Sequence, residues 1–501
     1  MAVLTSPKLS PCVLRWGIVV ALFVALAAYA LHKYPVPSNA SFIADARDYQ
    51  LLAVNLLKAH RYDVAEILPS EQYAFEPAAA RDDRNRPAAA GEGAGAGTFY
   101  RAPGYPVALA VIYRLFGVRP DIVMLLQLLG LVAMAALLPL LGHGLLGVRG
   151  FAGGIIGGIA LVHLHADAAL AILSEVLICL CVFLVLAAWV LFQRRRDWIA
   201  GMALGASLAV ALLVKGSLIF LPAFFLGYAF LRAFGSRAYR MSAVMTTIAV
   251  TVVPVALWSG YATVRTGRPT FVSTQGPDIL LAGNNEYTLS RGHWNPQWQD
   301  DANSFYSRAL KERPGRSALS LVVGFYADHP SYLPTALIRK LENAAWERPP
   351  RWFMALLLLV TACIFMDGLN ARPWMRFGIL AVLLAALLVL HLAFVVSFIL
   401  WLALLGAGLL SAPFRRELAK LWRDPGRMGC AFVLVNFLLI TLILYGQERI
   451  VWPAYLLLLM LSGCLAIRLL EECETWLGRR WLSSCLSRLE SLTYGAGCEM
   501  P

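Results

Sequence analysis

Residues Leu170–Phe192 read LAILSEVLICLCVFLVLAAWVLF, an apolar run of 23 positions interrupted by one charged side chain, Glu175, and followed by Gln193-Arg194-Arg195-Arg196. A helix of that length reaches about 35 Å, more than the roughly 30 Å hydrocarbon core of a bilayer. The run is therefore read as a membrane crossing, and its arginine triplet marks the cytoplasmic end. Comparable runs lie at Leu14–Leu31, Ile122–Leu141, Met241–Tyr261 and Phe377–Leu410, the last long enough for two helices. The fold class that follows is an all-α polytopic membrane protein.

Composition agrees. The 501 residues are 59% hydrophobic and 15% charged, against roughly 45–50% and 25% in soluble domains. The formal charge of +13 sits in short clusters between apolar runs, so it sets topology and is not a nucleic-acid surface. The first apolar run follows Lys8 and Arg15; more spans come after it and no small-residue cleavage site leads into a soluble domain, so it is read as a retained first helix. The nine cysteines fall in expected spans or near the termini, a pattern that predicts neither disulfides nor a zinc cluster.

Two polar segments, roughly 32–105 and 263–351, are far longer than ordinary helix connections. The short loops instead carry Arg194 to Arg196, then Arg232, Arg237 and Arg240, then Arg372 and Arg376, then Arg415, Arg416, Lys420, Arg423 and Arg427. Placing every cluster inside gives about twelve spans, near 14–32, 121–142, 151–166, 168–192, 198–214, 217–232, 242–262, 352–366, 377–393, 394–410, 430–446 and 450–467. Both termini are then cytoplasmic and both long loops outside, with the chain in the plasma (inner) membrane. It divides into a transmembrane module 1–262 that includes the first outer loop 33–105, the second outer loop 263–351, the C-terminal spans 352–467 and a cytoplasmic tail 468–501. The stretch Pro106–Gly117 is too short to cross and is expected as a re-entrant or interfacial helix. Ala44–Leu57 has the spacing of an amphipathic helix on the membrane surface. The Ala/Gly tract Arg86–Gly97 reads as a linker. We find no internal repeat and no soluble domain.

The residues that carry chemistry cluster around the outer loops. Asp45, with Asp48 and Tyr49, follows the first span. Tyr100-Arg101-Ala102-Pro103-Gly104-Tyr105-Pro106 fixes a turn at the water–lipid boundary, where Arg101 matches a phosphate head group. Glu175 is expected about two turns inside its span, where an ionisable group usually lines a cavity. Lys215-Gly216 sits at the outer end of a hairpin, with snorkelling as its plain structural role. Gly276-Pro277 through Gly283-Asn284-Asn285 reads as a glycine-shaped turn, and Glu448-Arg449 opens the last span.

In this order the motifs resemble the GT-C superfamily of integral-membrane glycosyltransferases, in the bacterial branch that includes the lipid A aminoarabinose transferase and relatives of the protein O-mannosyltransferases. Asp45, Tyr49, Ala53 and Leu56 match the opening of the first outer loop. Arg101-Ala-Pro-Gly-Tyr105-Pro with Tyr113-Arg114-Leu-Phe-Gly is similar to the family's arginine–proline–glycine–tyrosine–proline signature. Ser174-Glu175, Lys215-Gly216, Gly283-Asn284-Asn285 and Glu448-Arg449 with Pro453 follow in sequence. Two features depart from the pattern: the Ala/Gly tract, and Glu175 where relatives often carry Asp.

The resemblance implies an inverting transferase that uses a polyprenyl-phosphate sugar as donor. Asp45 is then the catalytic carboxylate with Glu175 as the second acidic position. Arg101, Lys215 and Arg449 hold the donor phosphate, and Tyr49, Tyr105 and Asn284 line the substrate loops. A divalent metal is used in some branches of the family and not in others, so the metal stays open. The acceptor, whether glycolipid, polysaccharide or protein, is not legible. A secondary transporter is the main alternative, and a polysaccharide polymerase or ligase of another fold is the third reading.

Overall fold

A computed structural model describes residues 11–37, 45–63, 99–236, 238–289, 292, 294–346, 410–446, 448–476 and 481–494. Every regular element among them is a helix. The expected spans near 352–366, 377–393 and 394–410 and the tract Arg86–Gly97 lie outside the described residues.

The helices are α1 (Pro11–Lys33), α2 (Asp45–Ala59), α3 (Gly104–Phe116), α4 (Pro120–His165), α5 (Glu175–Arg195), α6 (Trp198–Val214), α7 (Phe220–Ser236) and α8 (Met241–Thr266). The second long segment adds α9 (Gly276–Ala282), α10 (Phe305–Glu312), α11 (Ala318–Asp328) and α12 (Tyr332–Trp346). Then follow α13 (Ala412–Arg423), α14 (Pro425–Ile443), α15 (Glu448–Trp476) and α16 (Trp481–Tyr494). Seven helices among the described residues are long and apolar enough to cross a membrane, within α1, α4, α5, α7, α8, α14 and α15. At 17 residues, α6 is apolar but shorter.

The 46-residue α4 is two antiparallel limbs, because Gly147 at φ 70° and ψ −152° reverses the chain. Gly142 faces Gly150, Gly154 faces Leu138 and Pro139, and Gly158 faces Ala135. The returning limb then meets α15: a Cβ on Gly157 would fall 2.6 Å from the Met460 nitrogen, and one on Gly153 would fall 2.5 Å from Cys464 Sγ. In lipid there is little hydrophobic gain from joining two apolar helices, so backbone approach across small residues supplies the contact through dispersion.

The bundle has two chemically distinct ends. At one end the Gly147 turn, Arg194 to Arg196 and α13 meet: Trp189 Nε1 donates to the Pro425 carbonyl at 2.8 Å, Tyr228 donates to the Trp422 carbonyl at 2.9 Å, and Arg149 pairs with Glu471 at 2.9 Å. At the other end lie the last turn of α1, α2, α3, the start of α5 and the end of α6. There Tyr29 hydroxyl and His163 Nδ1 are 2.6 Å apart, and Tyr34 donates to the His163 carbonyl at 2.9 Å.

Two short helices shape this second end. The exposed stripe Val107, Val111 and Leu115 on α3 repeats every fourth residue, while Tyr105, Leu109, Ala110 and Tyr113 are buried. That is the pattern of a helix with one face to lipid and one to protein. The amphipathic reading of α2 needs correction. It buries Ala46 and every residue from Asp48 to Asn55, so it is wedged in the fold and does not lie on a surface. Ala46, Tyr49 and Ala53 pack with α3, whereas Leu52 joins Tyr62, Phe99 and Ala262 on another side.

Candidate functional site

The constellation grows from the loop Phe99–Pro103, which connects the first long segment to α3. Phe99 adopts φ +64°, a left-handed conformation that a bulky residue keeps only when its surroundings enforce it. The enforcement is visible. Phe99 sits among Tyr62, Trp258 and Tyr261 with ring centroids 5.4 to 5.5 Å away, and its carbonyl accepts from the Thr274 amide at 2.9 Å. Two residues on, Tyr62 hydroxyl donates to the Arg101 carbonyl at 2.9 Å. Burial raises the Tyr62 phenol well above its usual range, so it stays a neutral donor.

Arg101 is the centre. Its side chain is 4% exposed. Nε and Nη2 donate to Asp48 Oδ2 at 3.1 and 2.8 Å, Nη2 also donates to Asp45 Oδ1, and Nη1 donates to Gln275 Oε1 at 3.2 Å. The Tyr100 and Tyr49 rings flank the guanidinium, 5.0 and 5.5 Å from its carbon. Burial works against the charge, but Asp45, Tyr49 and Asp48 outweigh it and hold the pKa above the ordinary arginine value. Gln275 immediately precedes α9, so both long segments meet on this one side chain. Its neighbours Gly276 and Pro277 form the first turn of a helix and not the expected turn, since proline at a helix start has no amide hydrogen to lose.

Tyr49 extends the cluster toward α5. Its hydroxyl lies 3.3 Å from Ser174 Oγ, and its ring meets Tyr105 edge-on at 4.8 Å. Tyr105 donates to Gln127 Oε1 at 2.7 Å, and Gln127 Nε2 donates to the Ala169 and Ala171 carbonyls at 2.9 and 2.7 Å. Those carbonyls are accessible because the chain leaves helical geometry between Asp167–Leu170, a 3-10 turn, and α5. Glu175 is consequently the first residue of α5 and not two turns inside a span. It is 6% exposed, at a helix N-terminus, where backbone amides favour an anion. Burial first, then Tyr113, Tyr49 and Glu175, raise the Tyr105 phenol well above its usual range.

Lys215 ends α6 in extended geometry and is half-buried. The Arg101 loop is pressed onto this corner: a Cβ on Gly104 would come within 2.8 Å of the Val214 backbone. Asp45, Tyr49, Arg101, Tyr105, Glu175 and the Lys215 corner thus gather at one end of the bundle. Arg449 lies in the first turn of α15, with its side chain outside the described residues.

Asn284 does not join them. It is 3% exposed; Nδ2 donates to the Leu280 and Ile443 carbonyls at 2.8 and 2.9 Å, and Oδ1 accepts from Tyr326 at 3.0 Å and Lys340 Nζ at 2.5 Å. With those bonds made inside the protein, it bolts the second segment to the end of α14. Gln127, Gln275 and Tyr62 escaped sequence reading. Gln127 carries the one available signal, an amide inside an apolar span. Among the described residues no group of three or more His, Cys, Asp or Glu side chains is placed to hold a metal ion. Comparison of the chain with family models, curated proteins and solved structures finds no match.

Proposed function

We propose that this chain is an inverting membrane glycosyltransferase of the GT-C type, which transfers a sugar from a polyprenyl-phosphate carrier to a glycan, lipid or protein acceptor at the outer face of the membrane. The observation that carries the reading is the Asp45–Arg101–Asp48 cluster beside the Lys215 corner, at the bundle end opposite the arginine-rich loops. By the positive-inside rule that end faces away from the cytoplasm, where lipid-linked sugars and not nucleotide sugars serve as donors.

In the reaction, the acceptor hydroxyl or amine attacks the anomeric carbon and the bond from that carbon to the phosphate oxygen breaks. Its electron pair leaves with the polyprenyl phosphate. The acceptor proton passes to the Asp45 carboxylate. Arg101 and Lys215 stabilise the negative charge that stays on the phosphate. One base and one anionic leaving group suffice for inversion, so Glu175 orients the acceptor or the Tyr49–Ser174 edge of the site.

Purified protein is expected to consume polyprenyl-phosphate sugars and to ignore sugar nucleotides. Turnover of a sugar nucleotide would overturn the reading, and passage of an intact lipid-linked sugar across a liposome without cleavage would favour a transporter. For sidedness, a single cysteine at position 294 in a cysteine-free background is expected to react with an impermeant thiol reagent in intact cells, and one at position 195 to stay silent. The reverse pattern would invert the topology.

A further inference from the structure

Arginine presents five N–H donors as two forks: a side edge formed by Nε and Nη2, and an end edge formed by Nη1 and Nη2. In this protein the side edge is taken entirely by Asp48, whose Oδ2 receives both Nε and Nη2. The second Nη2 bond goes to Asp45, and Nη1 reaches Gln275. A phosphate gripped by two parallel bonds therefore has only the end edge to use, where Asp45 occupies Nη2 and Nη1 carries a second hydrogen besides the one given to Gln275.

The three partners differ in how firmly they are built in. Asp48 is 9% exposed and one turn inside α2, whereas Asp45 is 21% exposed and opens the helix. Gln275 is tied through the segment that leads to Thr274, whose amide bonds Phe99, and its Nε2 lies 3.4 Å from the Tyr100 hydroxyl. Of the anions on Arg101, Asp45 is the one that a competing anion displaces with least rearrangement.

We infer that Asp48 and Gln275 are positioning residues that hold the Arg101 fork, while Asp45 is its exchangeable partner, so that an arriving lipid phosphate takes the end edge and releases the Asp45 carboxylate for proton transfer. The base is masked until the donor is seated. Donor binding thereby precedes acceptor activation, and the carboxylate is free to take a proton only while a donor is in place. The inference rests on the proposed function for the role of Asp45, but the exchange is readable without any sugar transfer.

The test uses the full-length protein in nanodiscs, with farnesyl phosphate as the probe, which carries the phosphate and an isoprenoid chain but no sugar. A carboxylate pinned by a guanidinium is shielded from carbodiimide and a glycine-ester nucleophile, and peptide mass spectrometry reads the extent of labelling at Asp45 and Asp48. Expected is slow labelling at both positions without the probe, a rise of about tenfold or more at Asp45 with it, and no change at Asp48. Gln275→Leu is expected to raise the half-saturating farnesyl phosphate concentration about tenfold, the effect of one lost charge-assisted hydrogen bond on the fork, and to raise KM for the donor more than it lowers kcat. Gln275→Glu, which keeps an acceptor on Nη1, is expected to keep the slow basal labelling of Asp45 and Asp48. Saturable binding with Asp45 labelling unchanged, or with Asp48 labelled in its place, would overturn the exchange and leave the transferase reading standing. Absence of any lipid-phosphate binding would overturn both.

Discussion

Two buried cations lie among the places where the long polar segments are fastened to the bundle, and they are solvated differently. Arg101 meets two carboxylates and an amide oxygen. Lys340, 1% exposed, meets among the described residues only neutral oxygens: Asn284 Oδ1 at 2.5 Å and the Leu442 carbonyl at 3.0 Å, at the C-terminal end of α14. Around Arg101 the carboxylates outweigh burial and the charge is held. Around Lys340 burial dominates and lowers the pKa from 10.5 to about 7. A permanent charge with one fixed and one exchangeable carboxylate suits the proposed exchange with a phosphate. An ammonium held by amide and backbone oxygens suits a fixed joint, with little left to trade.

The contrast is sharpest under mutation at the first cation. Asp45→Asn keeps shape and removes the base, so turnover is expected to fall by roughly 10²–10⁴-fold while donor affinity rises, because the anion that competes for the Arg101 end edge is gone; full turnover would move the role to Asp48. Arg101→Ala leaves the buried Asp48 carboxylate without its partner, and loss of about 3–5 kcal/mol of stability is expected. Adding Asp48→Asn should recover part of that loss, which a double-mutant comparison of melting temperature in detergent reads directly; additive losses would mean that the pair is not coupled.

At Lys340 the smaller effect is a slope. Between about pH 7 and 10.5 the unfolded chain holds the lysine proton and the folded chain does not, so stability from this group rises with pH across that window. Below about pH 7 both states are protonated and the group contributes no further dependence. Lys340→Met is expected to flatten the rise in melting temperature from pH 7 to 9. An unchanged slope would show that the ammonium is better solvated than its surroundings imply.

Much of the bundle was legible because hydrocarbon enforces a simple rule. A stretch without water must satisfy its backbone internally, so a run such as Leu170–Phe192 is helical wherever it lies in the membrane. Run length located α1, α8 and α14, and the pair 121–142 and 151–166 anticipated the α4 hairpin. The same rule misplaced Glu175: apolarity continues through Ala168–Leu173, but the helix does not, because Gln127 supplies the hydrogen bonds that let those carbonyls leave it. The failure at α2 has a related cause. Its polar positions Asp48, Gln50 and Asn55 look solvent-facing until Arg101, Tyr113 and the Asp63 carbonyl are brought to them.

The site divides along the same line. Charge near an apolar run is expensive and made Asp45, Arg101, Glu175 and Lys215 conspicuous, while Tyr49 and Tyr105 entered only through the resemblance of the motif order. Sequence alone also determined that the chain is a helical membrane protein with its basic clusters in short loops. Only the tertiary structure decided that Asp48 takes the side edge of Arg101, that Gln275 arrives from 174 positions away in sequence, and that Asn284 faces inward to Lys340. Those are questions of which hydrogen-bonding groups meet, and spacing along one chain does not specify them. The meeting depends on how the ends of separate helices are held together, and here that is set by close backbone contacts such as Gly104 against Val214.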